Sequence, residues 1–137
     1  MVDNLSRSQR SYSMSRVRNR DTSLERRVRS ELHGRGFRFR KHSTGVSGKP
    51  DVVFPRERVA VFIDGDFWHG WRFPRWKAKL SDFWKRKIET NRRRDRRTFN
   101  RLRCNGWKVV RLWQHQIERD FEGSIRRIEA ALASRRC

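Results

Sequence analysis

The stretch "KPDVVFPRERVAVFID", residues 49–64, decides the fold. Within it, two apolar runs lie on either side of the polar segment "PRER", which has the composition of a turn. A connection this short joins antiparallel neighbours, so the stretch predicts a β-hairpin. The second run is apolar until it ends at Asp64, which predicts a buried central strand.

Upstream of the hairpin, the sequence predicts one helix and one further strand. Thr22 and Glu25 form a capping box at the start of the helix. The segment "FRFRKH", residues 37–42, alternates apolar and charged positions, which predicts a half-buried or edge strand. The helix carries an apolar stripe at every fourth position: Leu24, Val28 and Leu32.

Downstream of the hairpin, the pattern predicts a helix, a strand and a helix. Ser81 caps a long helix that Asn105 and Gly106 close. "WKVVRLW", residues 107–113, is a further strand, and an amphipathic pattern over 117–132 indicates the last helix. The element order α-β-β-β-α-β-α predicts an α/β fold, with a central mixed sheet flanked by helices.

Length and charge limit the classes of protein that fit the chain. Its 137 residues suffice for a single domain, which we place at 21–137 after a flexible basic N-terminal arm at 1–20. Thirty-six Lys and Arg against 15 acids give a net charge of +21. Such an excess predicts a polyanionic partner, and it favours nucleic acid far above an anionic membrane surface.

The sequence also bears on location. No apolar run reaches the ~20 residues of a membrane span, and no apolar segment typical of a secretion signal is present, so we expect a cytoplasmic protein. Cys104 and Cys137 lie far apart in the sequence and are expected to be reduced thiols.

Two aspartates mark the ends of the hairpin strands. Asp51 begins the first strand and Asp64 ends the second, so both carboxylates are expected at one edge of the sheet. Carboxylate and carbonyl oxygens there would suit Mg²⁺, which activates water and polarises a phosphodiester. Taken alone, the pair is weak evidence, because aspartates at strand ends are also common in turns.

His69 and Glu25 could complete such a site. His69 follows Asp64 by five residues, on a loop that must pass the same edge, and a neutral imidazole could take a proton from the attacking water. Glu25 is already explained by the capping box, so the sequence leaves open whether it also serves the site.

The loop "DGDFWHG", residues 64–70, carries Phe67 and Trp68 directly after the central strand. Two interpretations stay open for these rings. They either pack in the protein's own small core or wedge into a stack of DNA bases.

One face of the long helix is polar and suited to DNA. Lys87, Asn91 and Arg94 recur at helical spacing, opposite the apolar side. Lys and Asn are donors suited to base edges and Arg to phosphates, although an ordinary solvated face has the same pattern. Asp95 falls on the inward side and is expected to pair with an arginine or a lysine.

Together, several stretches resemble the very-short-patch repair (Vsr) DNA mismatch endonucleases over nearly the whole chain. They are specific as an ordered set, and no single stretch would be. The stretches are "RSxxxSMSRVRNRDTSLE", "GKPDVVF", "VFIDGDFWHG", "FWKRKIETNRRRDRR" and "GWKVVRLW".

This resemblance implies a restriction-endonuclease-like (PD-(D/E)xK-type) fold that nicks one DNA strand beside a T:G mismatch, using Mg²⁺. It implies a monomer that binds double-stranded DNA in the bacterial cytoplasm. By position, Asp51 and the carbonyl of Ile63 would be metal ligands, His69 the general base and Glu25 a supporting acid. The implied DNA contacts are Phe67 and Trp68 as a major-groove wedge, Met14 in the minor groove, and Lys87 and Asn91 near the mismatch.

The chain departs from the family pattern at two places. Asp64 stands where the type members have a histidine, and we expect it to be an added metal ligand with a catalytic role. Those members also hold a structural zinc, which we predict to be absent here, with packing of Trp71, Phe73 and Trp76 in its place. The matching zinc positions carry Asp66, Trp71, Phe73 and His115, which cannot form a closed Cys/His site.

Two alternatives stay open at this point. One is a Vsr-like homing or restriction-type nuclease with another target, and the other is a non-catalytic, basic DNA-binding module. The sequence context of the mismatch, the number of metal ions, a companion methyltransferase and mismatch-repair protein partners are not fixed by the sequence.

Overall fold

The computed structural model describes residues 23–41, 45–66 and 69–136. The arm predicted for 1–20 lies outside these ranges, as does Thr22 of the capping box.

A three-stranded mixed sheet forms the centre of the protein, as predicted. Strands β1 (Val52–Phe54) and β2 (Val59–Asp64) pair antiparallel as the hairpin. Strand β3 (Lys108–Trp113) pairs parallel with the other side of β2, so the apolar strand is the central one.

Helices lie on both faces of the sheet. They are α1 (Ser23–Gly34), α2 (Phe73–Trp76) with a 3₁₀ turn at Lys77–Lys79, α3 (Asp82–Cys104), α4 (Gln114–Arg119) and α5 (Phe121–Arg135). Helix α3 begins after Ser81, whose side chain makes no capping hydrogen bond, and ends before Asn105; Gly106 then turns the chain with φ +85°, as the sequence predicted for this end. Within the described ranges, no helix is long and apolar enough to cross a membrane.

The alternation along β2 separates two cores. Val59 and Val61 face α1 and α5, in a cluster that includes Val28 and Ile128. The alternate residues of β2 face α3 instead and pack on Phe99 and Leu102: they are Ala60 and Phe62. Because successive strand residues point to opposite faces, Asp64 falls on the α3 face.

Two predicted elements are wrong in their extent. The strand predicted over 37–42 reduces, in its described part, to a single bridge between Arg40 and Val53. Phe37 and Phe39 instead pack edge-on against Phe54, with ring centroids 6.3 and 6.0 Å apart, so ring packing rather than a ladder explains the alternation.

The last helix is interrupted at Asp120, whose extended φ of −145° ends α4. The Asp120 side chain accepts a hydrogen bond from the Gly123 N–H and so caps α5. A single amphipathic pattern therefore covers two helices.

Candidate active site

Asp51 lies at the open end of the hairpin and is held by β2. Its N–H donates to the Val61 carbonyl (2.9 Å), and its Oδ2 accepts from the Ile63 N–H (2.6 Å). Because the N–H and C=O groups of one strand residue face the same neighbour, the Ile63 carbonyl faces this edge as well.

Negative charge accumulates around Asp51. Burial, together with the neighbouring charge of Glu25, raises the pKa of Asp51 from 3.8 to about 7, and Asp64 adds to the rise. Glu25 projects from α1, is 6% exposed and lies 3.8 Å from the Arg29 guanidinium. The structure thus brings Glu25, Asp51 and Asp64 together; the sequence predicted this for the two aspartates and left it open for Glu25.

The groups around Asp51 fit a hard divalent cation. They are carboxylate and carbonyl oxygens, which Mg²⁺ prefers. Burial and the charge of Glu25 raise the pKa of Asp51 although the Ile63 N–H and Arg29 act against the rise, and a bound cation would further favour the charged carboxylate.

His69 lies between two carboxylates on the α3 face. Its Nδ1 is 2.7 Å from Oδ2 of Asp95 on α3, and its Nε2 is 3.4 Å from Oδ1 of Asp64. With the Nδ1 proton donated to Asp95, Nε2 is the nitrogen that can accept a proton in the neutral ring.

The surroundings of His69 favour its charged form. Burial lowers its pKa, but the Asp95 hydrogen bond and the charges of Asp64 and Asp95 outweigh burial, so the pKa of His69 is raised. His69 therefore loses its proton, and becomes able to act as a base, only at a pH above the ordinary histidine pKa. Once the ring has taken a proton, the neighbouring carboxylates stabilise its charged form.

Gly70 fixes the His69 loop directly on α3. It has φ +73°, a conformation that suits glycine. A Cβ at this position would lie 2.7 Å from Cδ of Arg92 and 3.0 Å from Cγ2 of Ile88. The loop can therefore approach α3 closely enough for His69 to contact Asp95.

Arg111 completes this part of the site, and sequence reasoning missed it. Its Nε donates to Asp64 Oδ2 (2.7 Å), and its Nη2 donates to Asp95 Oδ2 (2.9 Å). The expectation that Asp95 pairs with an arginine is confirmed, while its bond to His69 was not foreseen. The sequence signal that could have identified Arg111 is a charged residue within the otherwise apolar run 109–112.

The positions that match the family's zinc ligands make other contacts. Asp66 Oδ1 lies 2.9 Å from His115 Nδ1, at the start of α4. Trp71 stacks at a tilt on His115, with ring centroids 4.5 Å apart. Phe73 packs edge-on against Trp76, whose indole N–H donates to the Trp71 carbonyl, so the expected aromatic packing is observed.

Comparison with known proteins shows the family to which the chain belongs. Residues 2–75 match the family model described as DNA mismatch endonuclease Vsr. The Escherichia coli protein named DNA mismatch endonuclease Vsr is 37% identical over 116 residues, which cover 83% of this chain and 74% of that protein. The chain belongs to the Vsr family.

Other relatives of this Vsr-family chain are named as nicking enzymes. Type II nicking enzyme V.XorIIP of Xanthomonas oryzae pv. oryzae is 43% identical over 119 residues, covering 85% of this chain and 88% of that protein. Type II nicking enzyme V.HpaIIP of Haemophilus parainfluenzae is 35% identical over 138 residues, covering 98% of each. The chain is therefore a DNA endonuclease with the restriction-endonuclease-like fold of the Vsr family.

The DNA-contact residues predicted for this Vsr-family chain fall in two groups. Lys87, Asn91 and Arg94 share one side of α3, where Asn91 is buried and its Oδ1 accepts from Arg94 Nη2 (2.9 Å). Of that pair only Arg94 is exposed. Three further predicted contacts lie outside the described residues: Met14, Phe67 and Trp68.

A cavity of about 360 Å³ is lined by His69 and Arg111 together with residues of α3. Trp71, Phe99 and Trp113 form part of its wall. Clustered guanidinium groups beside aromatic rings suit a nucleic-acid backbone. The arginines that line it are Arg72, Arg92, Arg96, Arg103 and Arg111.

Proposed function

We propose that this Vsr-family enzyme nicks one strand of DNA beside a T:G mismatch, with Mg²⁺ as its metal. The observation that supports the proposal is that two different sets of side chains, one acidic and one able to accept a proton, lie side by side at the end of β2. Asp51 and Glu25 are two neighbouring buried acids, with Arg29 beside Glu25, and His69 of the adjacent His69–Asp95 pair can accept a proton. Hydrolysis of a phosphodiester requires both functions.

Asp51 and the Ile63 carbonyl would hold the Mg²⁺, whereas Asp64, which the sequence suggested as a further ligand, contacts Arg111 and lies near His69. When bound, such an ion polarises the scissile phosphodiester and lowers the pKa of a coordinated water. Glu25 supports Asp51 from α1 and adds negative charge that strengthens cation binding.

His69 acts as the general base in this proposal. Its Nε2 takes the proton of the attacking water, while Asp95 holds the Nδ1 proton and fixes the ring. The imidazolium that forms is stabilised by Asp64 and Asp95, whose carboxylates flank the ring.

Recognition of the mismatch would fall to the loop after β2 and to α3. Phe67 and Trp68 would wedge into the base stack, with Met14 entering from the minor groove and Lys87 and Asn91 near the mismatched pair. Inserting an apolar wedge costs a few kcal/mol, and the cost is least where pairing is already imperfect. A wedge therefore favours a mismatch over a matched duplex.

A second candidate differs only in the target. Several relatives are named type II nicking enzymes, and those names specify no mismatch. Under this alternative the same catalytic groups nick DNA without a requirement for T:G.

Nicking of labelled duplexes separates the two candidates. We expect Mg²⁺-dependent cleavage of one strand in a T:G duplex and little cleavage of the matched duplex or of other mismatches. The Phe67→Ala/Trp68→Ala double variant should melt like the wild type but lose the mismatch preference. Equal nicking of matched and T:G duplexes would favour the second candidate, and no cleavage of any duplex would contradict both.

A further inference from the structure

Three side chains on the α3 face form a set of potential metal ligands. Asp64, His69 and Asp95 each offer a ligand atom, and these atoms all lie within 4.8 Å of one another. Two carboxylates and an imidazole at this spacing suit a transition metal such as Zn²⁺, Co²⁺ or Mn²⁺.

The guanidinium of Arg111 already binds this set. It donates to one oxygen of Asp64 and to one oxygen of Asp95, at 2.7 and 2.9 Å. The same Asp95 oxygen accepts from His69, so Arg111 and His69 share it. Of the two Asp64 oxygens, Oδ2 therefore contacts the guanidinium of Arg111, and Oδ1 lies near the imidazole of His69.

Packing holds the guanidinium in place. Its central carbon lies 4.1 Å from the centroid of the Trp113 ring and 4.9 Å from that of Phe99. A planar guanidinium satisfies stacking and a two-acid contact at the same time, which a compact ammonium cannot reproduce fully. The side chain is 25% exposed, so the charge is only partly screened by water.

We propose that Arg111 is a built-in cation that substitutes for a metal ion among Asp64, His69 and Asp95. In this role it is a positioning residue, since it orients Asp95 and, through Asp95, the His69 ring. It also engages Asp64, so the divalent ion of the proposed reaction is bound by Asp51 and the Ile63 carbonyl without Asp64. The effect on catalysis rests on the proposed function, whereas the effect on metal binding does not.

The first test counts bound metal in the absence of DNA. Replacing Arg111 by Met removes the positive charge and leaves two carboxylates and an imidazole uncompensated. We expect Arg111→Met to bind one Co²⁺ more per chain than the wild type in equilibrium dialysis, with a new visible absorption band. The additional Co²⁺ should disappear in Arg111→Met/His69→Ala, and Arg111→Lys should not acquire it.

Arg103→Met provides the matched control. Arg103 also lies over Phe99, at 6.0 Å, and has the same charge, but among the described residues no acid is paired with it. Equal Co²⁺ counts in wild type, Arg103→Met and Arg111→Met, with all three folded by circular dichroism, would overturn the proposal.

A second variant keeps the test decisive if Arg111→Met does not fold. Asp64→Asn should leave the Mn²⁺ affinity of the protein within about threefold of wild type, whereas Asp51→Asn should abolish binding, because of these two aspartates only Asp51 is a proposed ligand. A loss of affinity in Asp64→Asn as large as in Asp51→Asn would show that Asp64 binds the metal and would overturn the proposal.

Single-turnover nicking tests the positioning role. We expect Arg111→Met to slow the chemical step by roughly 10–100-fold, the range found for groups that orient a catalytic side chain, with partial recovery in Arg111→Lys. The DNA affinity should fall no more than in Arg103→Met, which measures the loss of charge alone. A rate equal to that of Arg103→Met would contradict positioning, and the metal counts remain valid even if the wild type nicks no T:G duplex.

Discussion

Asp51 and Asp64 are both buried carboxylates of one hairpin, and both have raised pKa values for which burial is the main cause. Their neighbours differ. Among the charged neighbours of Asp51, the acid Glu25 has the largest effect and raises its pKa. For Asp64, in contrast, His69 and Arg111 lower the pKa and partly offset the effect of burial. The same residue type therefore occupies two electrostatic environments at one end of the sheet.

Under the proposed function, this difference divides the candidate site into a metal half and a proton half. The metal half, Asp51 with Glu25, has two buried acids beside the guanidinium of Arg29, and we propose that a divalent cation from solution adds further positive charge. The proton half, made up of Asp64, His69, Asp95 and Arg111, is compensated by groups of the chain itself. Buried charges are stable only when compensated, so the two halves should respond differently to metal and to substitution.

The largest expected effect is on the metal half. Asp51→Asn removes a charged ligand but leaves a side chain of similar size, so fold and DNA binding should persist while Mg²⁺-dependent nicking is abolished. Cleavage of the T:G duplex and a gel-shift assay on the same preparation measure the two properties. Near-normal nicking by Asp51→Asn would remove the metal half from the mechanism.

The next largest effect is on the proton half. His69→Ala should slow the chemical step by about 10²–10⁴-fold, the usual contribution of a general base. Asp95→Asn should cost roughly 10–100-fold, because it loosens the ring without removing it. Single-turnover rates at saturating Mg²⁺ provide the measurement, and a loss below tenfold in His69→Ala would reduce His69 to a structural group.

A smaller effect is expected in the pH dependence of stability. In the folded chain Asp51 releases its proton near pH 7, against 3.8 ordinarily, so between these values the folded state binds the proton more tightly than the unfolded state. The stability due to this protonation is complete below pH 3.8 and is lost as the pH rises through about 7.

Thermal melting in EDTA checks this expectation. From pH 4 to pH 7 the wild type should lose more stability than Asp51→Asn. The difference should be several degrees in melting temperature, because ~1 kcal/mol corresponds to roughly 4 °C for a domain of this size. Mg²⁺ at pH 8 should restore the wild type and have little effect on the variant. Parallel melting curves for the two proteins would contradict the raised pKa of Asp51.

The smallest effect concerns zinc, which we expect to serve neither half. Removal of zinc with a zinc-selective chelator, with Mg²⁺ kept in excess, should leave the melting temperature and the nicking rate unchanged, since the matching positions carry Asp66, Trp71, Phe73 and His115. Elemental analysis that finds one tightly bound zinc per chain, whose removal unfolds the protein, would refute this prediction.

Local patterns in the sequence predicted the central part of the fold and the closeness of Asp51 and Asp64. The apolar run of β2 and its short turn fixed the hairpin, and the hairpin brought Asp51 and Asp64 to one edge. The predicted strand at 37–42 was wrong because alternation cannot distinguish ring packing on Phe54 from pairing in a ladder. The break at Asp120 was missed because the apolar periodicity continues through it.

The proton half was harder to predict because its contacts join distant parts of the chain. Asp64 meets Arg111 across 47 positions, and His69 meets Asp95 across 26. Asp95 was expected to find a cation only because it interrupts an apolar stripe. The identity of that cation depends on how β3 aligns with β2, which no local pattern specifies.

The contact between Asp66 and His115, with Trp71 stacked on the imidazole, has a consequence for the conditions under which the enzyme can work. It holds the loop beside α4 through a carboxylate, an imidazole and an indole. None of these groups is a thiolate, so neither hydrogen peroxide nor a shortage of transition metals directly breaks the contact between Asp66, His115 and Trp71. A nuclease held in this way would keep Asp66 and Trp71 beside α4 under oxidising conditions.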